Sequence, residues 1–249
     1  MTFIDILRQH HDELLKHDGG QLNQEQRRGI KAMLSCRQNT DRVSRWHCNS
    51  CDENTEAPLS CGHRHCPQCQ HHTTSEWLAR QQRKLLPVNY FMVTFTVPYE
   101  LRALIKANAK RVYPMLFKVA ASVLKDFAAR KKALQGQIGF TGVLHTHSRQ
   151  REYHPHLHFI IPAGSYHWTT GQWHKLKGKY LFNVHNLANV WRARLLEMLK
   201  RTLSLTLPAG MNKAWVVHCV KVGQGAPALK YLSRYLYRGV LPDKAIVKV

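Results

Sequence analysis

Six of the seven cysteines fall between Cys36 and Cys69, in a polar stretch rich in His and Asn and poor in periodic apolar residues. Such a segment cannot hold itself together by burying hydrophobic surface, so its fold has to come from cross-links or from metal. In a reducing compartment a cluster of this kind is far more often a metal site than a set of disulfides. Cys48-Asn-Ser-Cys51 and Cys66-Pro-Gln-Cys69 are two CxxC turns separated by fourteen residues. That spacing lets two tight turns face one another and complete a tetrahedral thiolate site, for which Zn²⁺ is the usual occupant. Cys36 and Cys61, with His47, His63 and His65 nearby, supply either a second site or replacements for a knuckle ligand. Four thiolates leave no open position for substrate, so zinc here is expected to be structural.

Charge divides the chain at about the same place. Over 249 residues, 37 Lys+Arg against 15 Asp+Glu leave a formal charge of +22. Residues 1–76 carry 9 basic and 10 acidic side chains, whereas residues 77–249 carry 28 and 5. A pI near 10.1 is the footprint of a polyanionic partner, whose binding should weaken steeply with salt. The five acids of the basic part, Glu100, Asp126, Glu152, Glu197 and Asp243, lie far apart in sequence. A nuclease that holds two metal ions in a cluster of three or four carboxylates has almost no raw material here. No apolar run approaches the roughly 18 to 20 residues of a membrane span, and the first residues lack the apolar core of a signal peptide. The expected location is the cytoplasm, with no membrane partner.

The pattern of elements gives two domains, 1–86 and 87–249. Helical spacing over Ile4–Leu34, broken at Asp18-Gly19-Gly20, makes a short helical lead-in to the cysteine-rich part, and Trp77–Leu86 reads as a connecting helix ended by Pro87. Beyond it, Tyr90–Val97 is a β-branched and aromatic strand. Glu100 to about Leu134 is helical with a break near Pro114; Phe140–His147 and His156–Ile161 are strands; Asn186–Leu205 is helix, Trp215–Val222 strand and Ala226–Arg238 helix. The order β-α-β-β-α-β-α predicts an α+β fold, one antiparallel sheet with flanking helices.

Two constellations in this second domain carry chemistry. In Tyr153-His-Pro-His-Leu-His-Phe159, strand alternation puts His154, His156 and His158 on one face, and His145 and His147 of the preceding strand share a parity that reaches the same face across the hairpin. Two imidazoles two residues apart hold one divalent ion and leave positions open for a phosphate. The bland alternative is a half-exposed strand whose histidines tolerate solvent. In Lys230-Tyr231-Leu-Ser-Arg234-Tyr235-Leu-Tyr237-Arg238, helical geometry sets Tyr231 and Tyr235 about 40° apart, with Arg234 and Arg238 beside them and Leu229, Leu232 and Leu236 on a packing stripe. A phenol can attack a phosphodiester, and arginine can steady the phosphate. Tyr166, Trp168 and Trp173, set among His167, His174 and Lys175, are candidate surfaces for stacking bases, or ordinary loop and core aromatics.

Taken in order, these motifs resemble the rolling-circle transposases of the insertion-sequence 91 type. The resemblance rests on Ser60-Cys-Gly-His-Arg-His-Cys-Pro-Gln-Cys-Gln70, Tyr90-Phe-Met-Val-Thr-Phe-Thr-Val-Pro98, Gly142-Val-Leu-His-Thr146, the HUH signature His156-Leu-His158, and Tyr231-Leu-Ser-Arg-Tyr235. It implies an N-terminal zinc-binding domain and an HUH endonuclease palm of ferredoxin-like type. It implies a metal-dependent single-stranded DNA endonuclease and strand transferase, a transposase that forms 5′-phosphotyrosine intermediates in DNA recombination of an insertion sequence. Tyr231 and Tyr235 would be nucleophiles, His156 and His158 with His145 or His154 would hold Mg²⁺ or Mn²⁺, and Arg234 and Arg238 would contact phosphate. Zinc would sit on Cys48, Cys51, Cys66 and Cys69, with Cys36, Cys61 and His65 as alternative ligands. Partners would be single-stranded or hairpin DNA at element ends and target DNA, in a bacterial cytoplasm and at the nucleoid when acting on DNA. Members of that family continue past the tyrosine helix while this sequence stops at Val249, which implies a C-terminal part that contributes to DNA binding or activity. A replication initiator or relaxase using the same chemistry would not be expected to carry the cysteine module. A non-catalytic zinc-dependent DNA-binding protein would leave the histidine strand idle.

Overall fold

The computed structural model describes residues 2–38, 42–134, 136–148, 150–211, 215–236 and 246; the side chains of 71 and 234–236 lie outside that description. Two compact units emerge, Met1–Ala79 with Ser233–Val249, and Arg80–Leu232.

In the first unit, helices α1 (Phe3–Gln9), α2 (His11–Asp18) and α3 (Gln24–Leu34) precede a hairpin of β1 (Val43–His47) and β2 (Asn54–Pro58), and α4 (Pro67–Gln82) follows. Capping boxes start α1 and α3: Thr2 exchanges hydrogen bonds with Asp5, and Asn23 with Gln26. The connecting helix begins at Pro67 rather than near Trp77, because proline suits the first helical turn and Gln70 N–H donates to the Cys66 carbonyl. Among the described residues Ile4, Leu7, Met33, Cys36 and Cys66 form the buried apolar cluster here, so the thiols are themselves part of the core.

The second unit carries β3 (Tyr90–Thr96), α5 (Tyr99–Ala107), α6 (Ala109–Arg130), β4 (Thr141–His147), β5 (Tyr153–Pro162), the hairpin β6 (Gly164–His167) and β7 (Gln172–Lys175), α7 (Val184–Glu197), β8 (Val217–Lys221) and, up to Leu232, the larger part of α8 (Ala226–Leu236). Four strands make one antiparallel sheet in the order β4-β5-β3-β8, the split βαβ order of a ferredoxin-like palm. The α+β expectation holds. The break between α5 and α6 falls at Asn108, with Pro114 inside α6. The α7 helix is shorter than its apolar pattern suggested, passing into a π turn at Met198–Thr202. The β6–β7 hairpin was not foreseen.

Period-two alternation divides the sheet. Phe91, Val93 and Phe95 of β3 and Leu157, Phe159 and Ile161 of β5 enter the core that Val112, Leu116, Val119, Val123 and Leu124 of α6 and Leu187, Trp191 and Leu195 of α7 complete. Trp191 lies 5.1 Å from the Phe95 ring and donates from Nε1 to the Thr96 carbonyl at 2.8 Å, fixing α7 at the end of β3. Gly142 leaves room for Phe159, whose ring would come within 2.6 Å of a Cβ there. Phe159 meets Phe95, Phe117 and Phe140 edge-on at 6.0, 6.2 and 5.4 Å. Phe159→Ala is expected to destabilise this unit by about 3–5 kcal/mol, read as a lowered urea midpoint in circular dichroism; a change under about 1 kcal/mol would show that the ring is not central to the packing.

Candidate functional site

The opposite face of the sheet carries the chemistry. Because directly paired residues share a face, the register His145↔His156, Val143↔His158, Thr94↔His158 and Thr96↔His156 puts three histidines and two threonines together. One ligand atom from each of His145, His156 and His158 lies within 4.8 Å of the others, close enough to share an ion. Their rings meet edge-on, with centroids 5.2 Å apart for His145 and His156, 4.5 Å for His145 and His158, and 4.9 Å for His156 and His158. Of the two candidates for third ligand, His145 joins the group and His154 does not. His147 does not join it either: a bulge between His145 and His147 shifts the register, and His147 pairs with Tyr153.

The hydrogen bonds around these rings suit metal binding. His156 donates from Nδ1 to the His154 carbonyl at 2.7 Å, and His158 Nδ1 bonds Thr94 Oγ1 at 2.8 Å. Such partners fix ring orientation and leave Nε2 for a cation. Nε2 of His158 is buried without a hydrogen-bond partner among the described residues. Burial, then the neighbouring histidines, pushes His158 down to about 3; burial and His156 push His145 down to about 4. Burial also holds His156 below its ordinary value. All three are neutral at physiological pH, the form that ligates. The residues present therefore fit a divalent cation.

Tyr231 approaches from α8. Its ring centroid is 6.2 Å from those of both His145 and His158. Leu229 and Leu232 bury the stripe that seats the helix, and Gly225 at its start has φ +86 and lies where a Cβ would sit 2.9 Å from the Tyr90 ring, so only glycine fits. Tyr235 follows one turn later on α8; its side chain and that of Arg234 lie outside the described residues, as do Tyr237 and Arg238 altogether. Tyr166 and Trp168 meet edge-on at 4.7 Å, Trp168 being largely exposed, and Trp173 packs over Gly164. Thr94 and Arg102 were missed in the sequence; nothing marks either until strand register and helix placement are known.

The first unit contains a second ligand set, which joins the second CxxC turn to the alternative ligands Cys36 and Cys61. Sγ of Cys36 lies 3.5 Å from that of Cys69 and 3.6 Å from that of Cys66, and Cys61 lies 3.5 Å from Cys69. All four sulfurs fall within 4.8 Å of one another. These distances are far beyond a disulfide and near the edge of about 3.8 Å for a tetrahedron with Zn–S of about 2.3 Å. Cys48 and Cys51 instead occupy the turn between β1 and β2, where the Cys48 thiol contacts Ser50 at 3.0 Å. Cys36, just past α3, is packed beside Cys66 at the start of α4, so the group forms around the second CxxC turn with Cys36 and Cys61. His65 stands outside the quartet. Burial pushes the Cys66 and Cys61 thiols up, Cys61 to about 11. Partial burial raises Cys69 as well, yet hydrogen bonds from Cys36, Cys61 and Cys66 bring it down to about 7.

Residues 6–97 match the family of the transposase zinc-binding domain, and residues 139–249 match the family described as putative transposase. A putative transposase, y4qJ, of Sinorhizobium fredii (strain NBRC 101917 / NGR234) is 34% identical over 98% of this chain and 67% of its own length. The chain belongs to the transposases of the insertion-sequence 91 family. The transposase for insertion sequence element IS801 of Pseudomonas savastanoi pv. phaseolicola is 28% identical over 83% of this chain and 54% of its own length, so the chain spans about two thirds of one curated relative and about half of the other. Among solved structures, a metal-bound conjugative relaxase TrwC in complex with oriT DNA is similar at TM-score 0.39 and 23% identity, over 52% of this chain and 49% of that one. The same relaxase with a mutant oriT DNA gives TM-score 0.37 and 24% identity, over 50% and 48%. Among the described residues no helix is long and apolar enough to cross a membrane.

Proposed function

We propose that this transposase nicks single-stranded or hairpin DNA at the ends of an insertion sequence by attack of Tyr231, and transfers strands in rolling-circle transposition. The observation that carries this reading is the Tyr231 ring, 6.2 Å from two members of the histidine group. His145, His156 and His158 would hold Mg²⁺ or Mn²⁺, which when bound polarises the scissile phosphate and offsets its charge. Bond formation between the phenolic oxygen and phosphorus is matched by rupture of the P–O3′ bond. The phenol loses its proton and the departing strand gains one as a free 3′-OH. The strand on the 3′ side of the break is thereby held through its 5′ phosphate as a 5′-phosphotyrosine, which conserves bond energy for transfer. Tyr235 would accept a second end. Arg234 and Arg238 would contact phosphate, and the excess of basic residues in 77–249 would hold the strand. Tyr153 is a poorer nucleophile: burial and its 2.9 Å bond with Tyr113 raise its phenol well above the usual range. Cys36, Cys61, Cys66 and Cys69 would hold structural zinc.

With Mg²⁺ or Mn²⁺ and single-stranded DNA spanning an element end, the protein is expected to form an adduct that survives denaturation. His156→Ala and His158→Ala should lose cleavage while still retarding the DNA on gels. Variants that cut like wild type would remove the histidine group from the reaction.

A further inference from the structure

The histidines of β5 are chemically different, and the bonds at their Nδ1 atoms sort them. Arg102 of α5 donates from Nη2 to Nδ1 of His154 at 2.8 Å. A guanidinium has donors only, so His154 Nδ1 must accept, and the neutral ring carries its proton on Nε2. His156 is the reverse. Its Nδ1 faces a backbone carbonyl at 2.7 Å, which only accepts, so Nδ1 carries the proton and Nε2 keeps its lone pair. A cation needs that lone pair; His156 offers one, and His154 offers an N–H instead.

The environment holds His154 in this state. Arg102 is 18% exposed, with its guanidinium 4.0 Å from the Glu152 carboxylate and 5.2 Å from the centre of the Tyr99 ring. The His154 ring is 5.3 Å from that of His156, and its Nε2 is buried with no hydrogen-bond partner among the described residues. A buried donor lacking an acceptor costs stability, and its persistence beside a reactive group asks for a ligand oxygen.

We infer that His154, held by Arg102 as the Nε2–H tautomer, donates a hydrogen bond to a non-bridging oxygen of the scissile phosphate and is not a ligand of the cation. This rests on the cleavage proposed above. As the tyrosine oxygen adds to phosphorus and the P–O3′ bond lengthens, charge grows on the non-bridging oxygens, where a fixed donor acts most strongly. Arg102 is a positioning residue, acting through the ring.

Nitrogen chemical shifts of His154 in metal-free protein should show Nε2 protonated and Nδ1 bare; the opposite tautomer overturns the inference. In titrations with Mn²⁺ alone, His154→Ala should bind like wild type, whereas His156→Ala should lose binding. Cleavage by His154→Ala should fall about 10²-fold in kcat. His154→Gln, whose amide nitrogen reaches the Nε2 position, should recover more of that rate than His154→Asn. Loss of Mn²⁺ binding in His154→Ala equal to that in His156→Ala would make His154 a ligand and overturn the inference, as would wild-type cleavage by His154→Ala. A wild type that neither binds Mn²⁺ nor cuts overturns the cleavage reading and takes this inference with it.

Discussion

Tyr231→Phe is expected to abolish the denaturation-resistant DNA adduct and to lower cleavage by on the order of 10⁴-fold or more, the scale on which removal of a nucleophile acts. The substitution keeps the aromatic ring that faces His145 and His158 and removes only the hydroxyl. Folding and Mn²⁺ binding should therefore stay close to wild type. Tyr235→Phe should still give the first adduct and lose transfer to a second DNA end. An adduct of wild-type yield on Tyr231→Phe would place the nucleophile elsewhere on α8, and the measurement is a denaturing gel of labelled DNA with each single variant and the double.

The palm was legible because its signals are local. Alternation in Tyr90–Thr96 and Tyr153–Pro162 separates core residues from histidines without any knowledge of neighbours, and Leu229 and Leu232 of α8 mark its buried stripe. The choice between His145 and His154 was not legible, since it depends on register. His154 shares a face with His156, yet His145 is the residue directly opposite His156 on β4. Arg102 decides the matter further. It is separated from His154 by more than fifty residues of chain, and no sequence period connects the two.

In the first unit, spacing alone left the ligand set open, because CxxC pairs invite symmetric pairing while Cys36 and Cys61 stand as alternatives. The turn at Cys48–Cys51 closes on itself: Cys48 N–H donates to the Glu53 carbonyl and Asp52 N–H to that of Cys48, both at 2.9 Å. Hairpin geometry thus satisfies that knuckle locally. Cys36 had no motif to announce it, being set between the end of α3 and the start of β1, and only the packing of Met33 and Cys36 beside Ile4 and Cys66 brings it to the quartet.

That difference makes a sharp test of the zinc. Cys61→Ser and Cys36→Ser are expected to release the metal and unfold residues 2–79, whereas Cys48→Ser and Cys51→Ser should retain one zinc per chain with the unit folded. The expected loss is large because the buried cluster of Ile4, Leu7, Met33, Cys36 and Cys66 is too small to offset the chain entropy of the unit alone. Structural zinc contributes about 10–16 kcal/mol of apparent binding free energy in zinc-finger peptides. Without metal, four sulfurs within 4.8 Å of one another can share little negative charge, so a chelator should act as a denaturant of this unit and leave the sheet of the second unit intact. Metal analysis and limited proteolysis of the four variants read both consequences. Retention of zinc in Cys36→Ser together with its loss in Cys48→Ser would restore the two-knuckle arrangement and overturn the quartet.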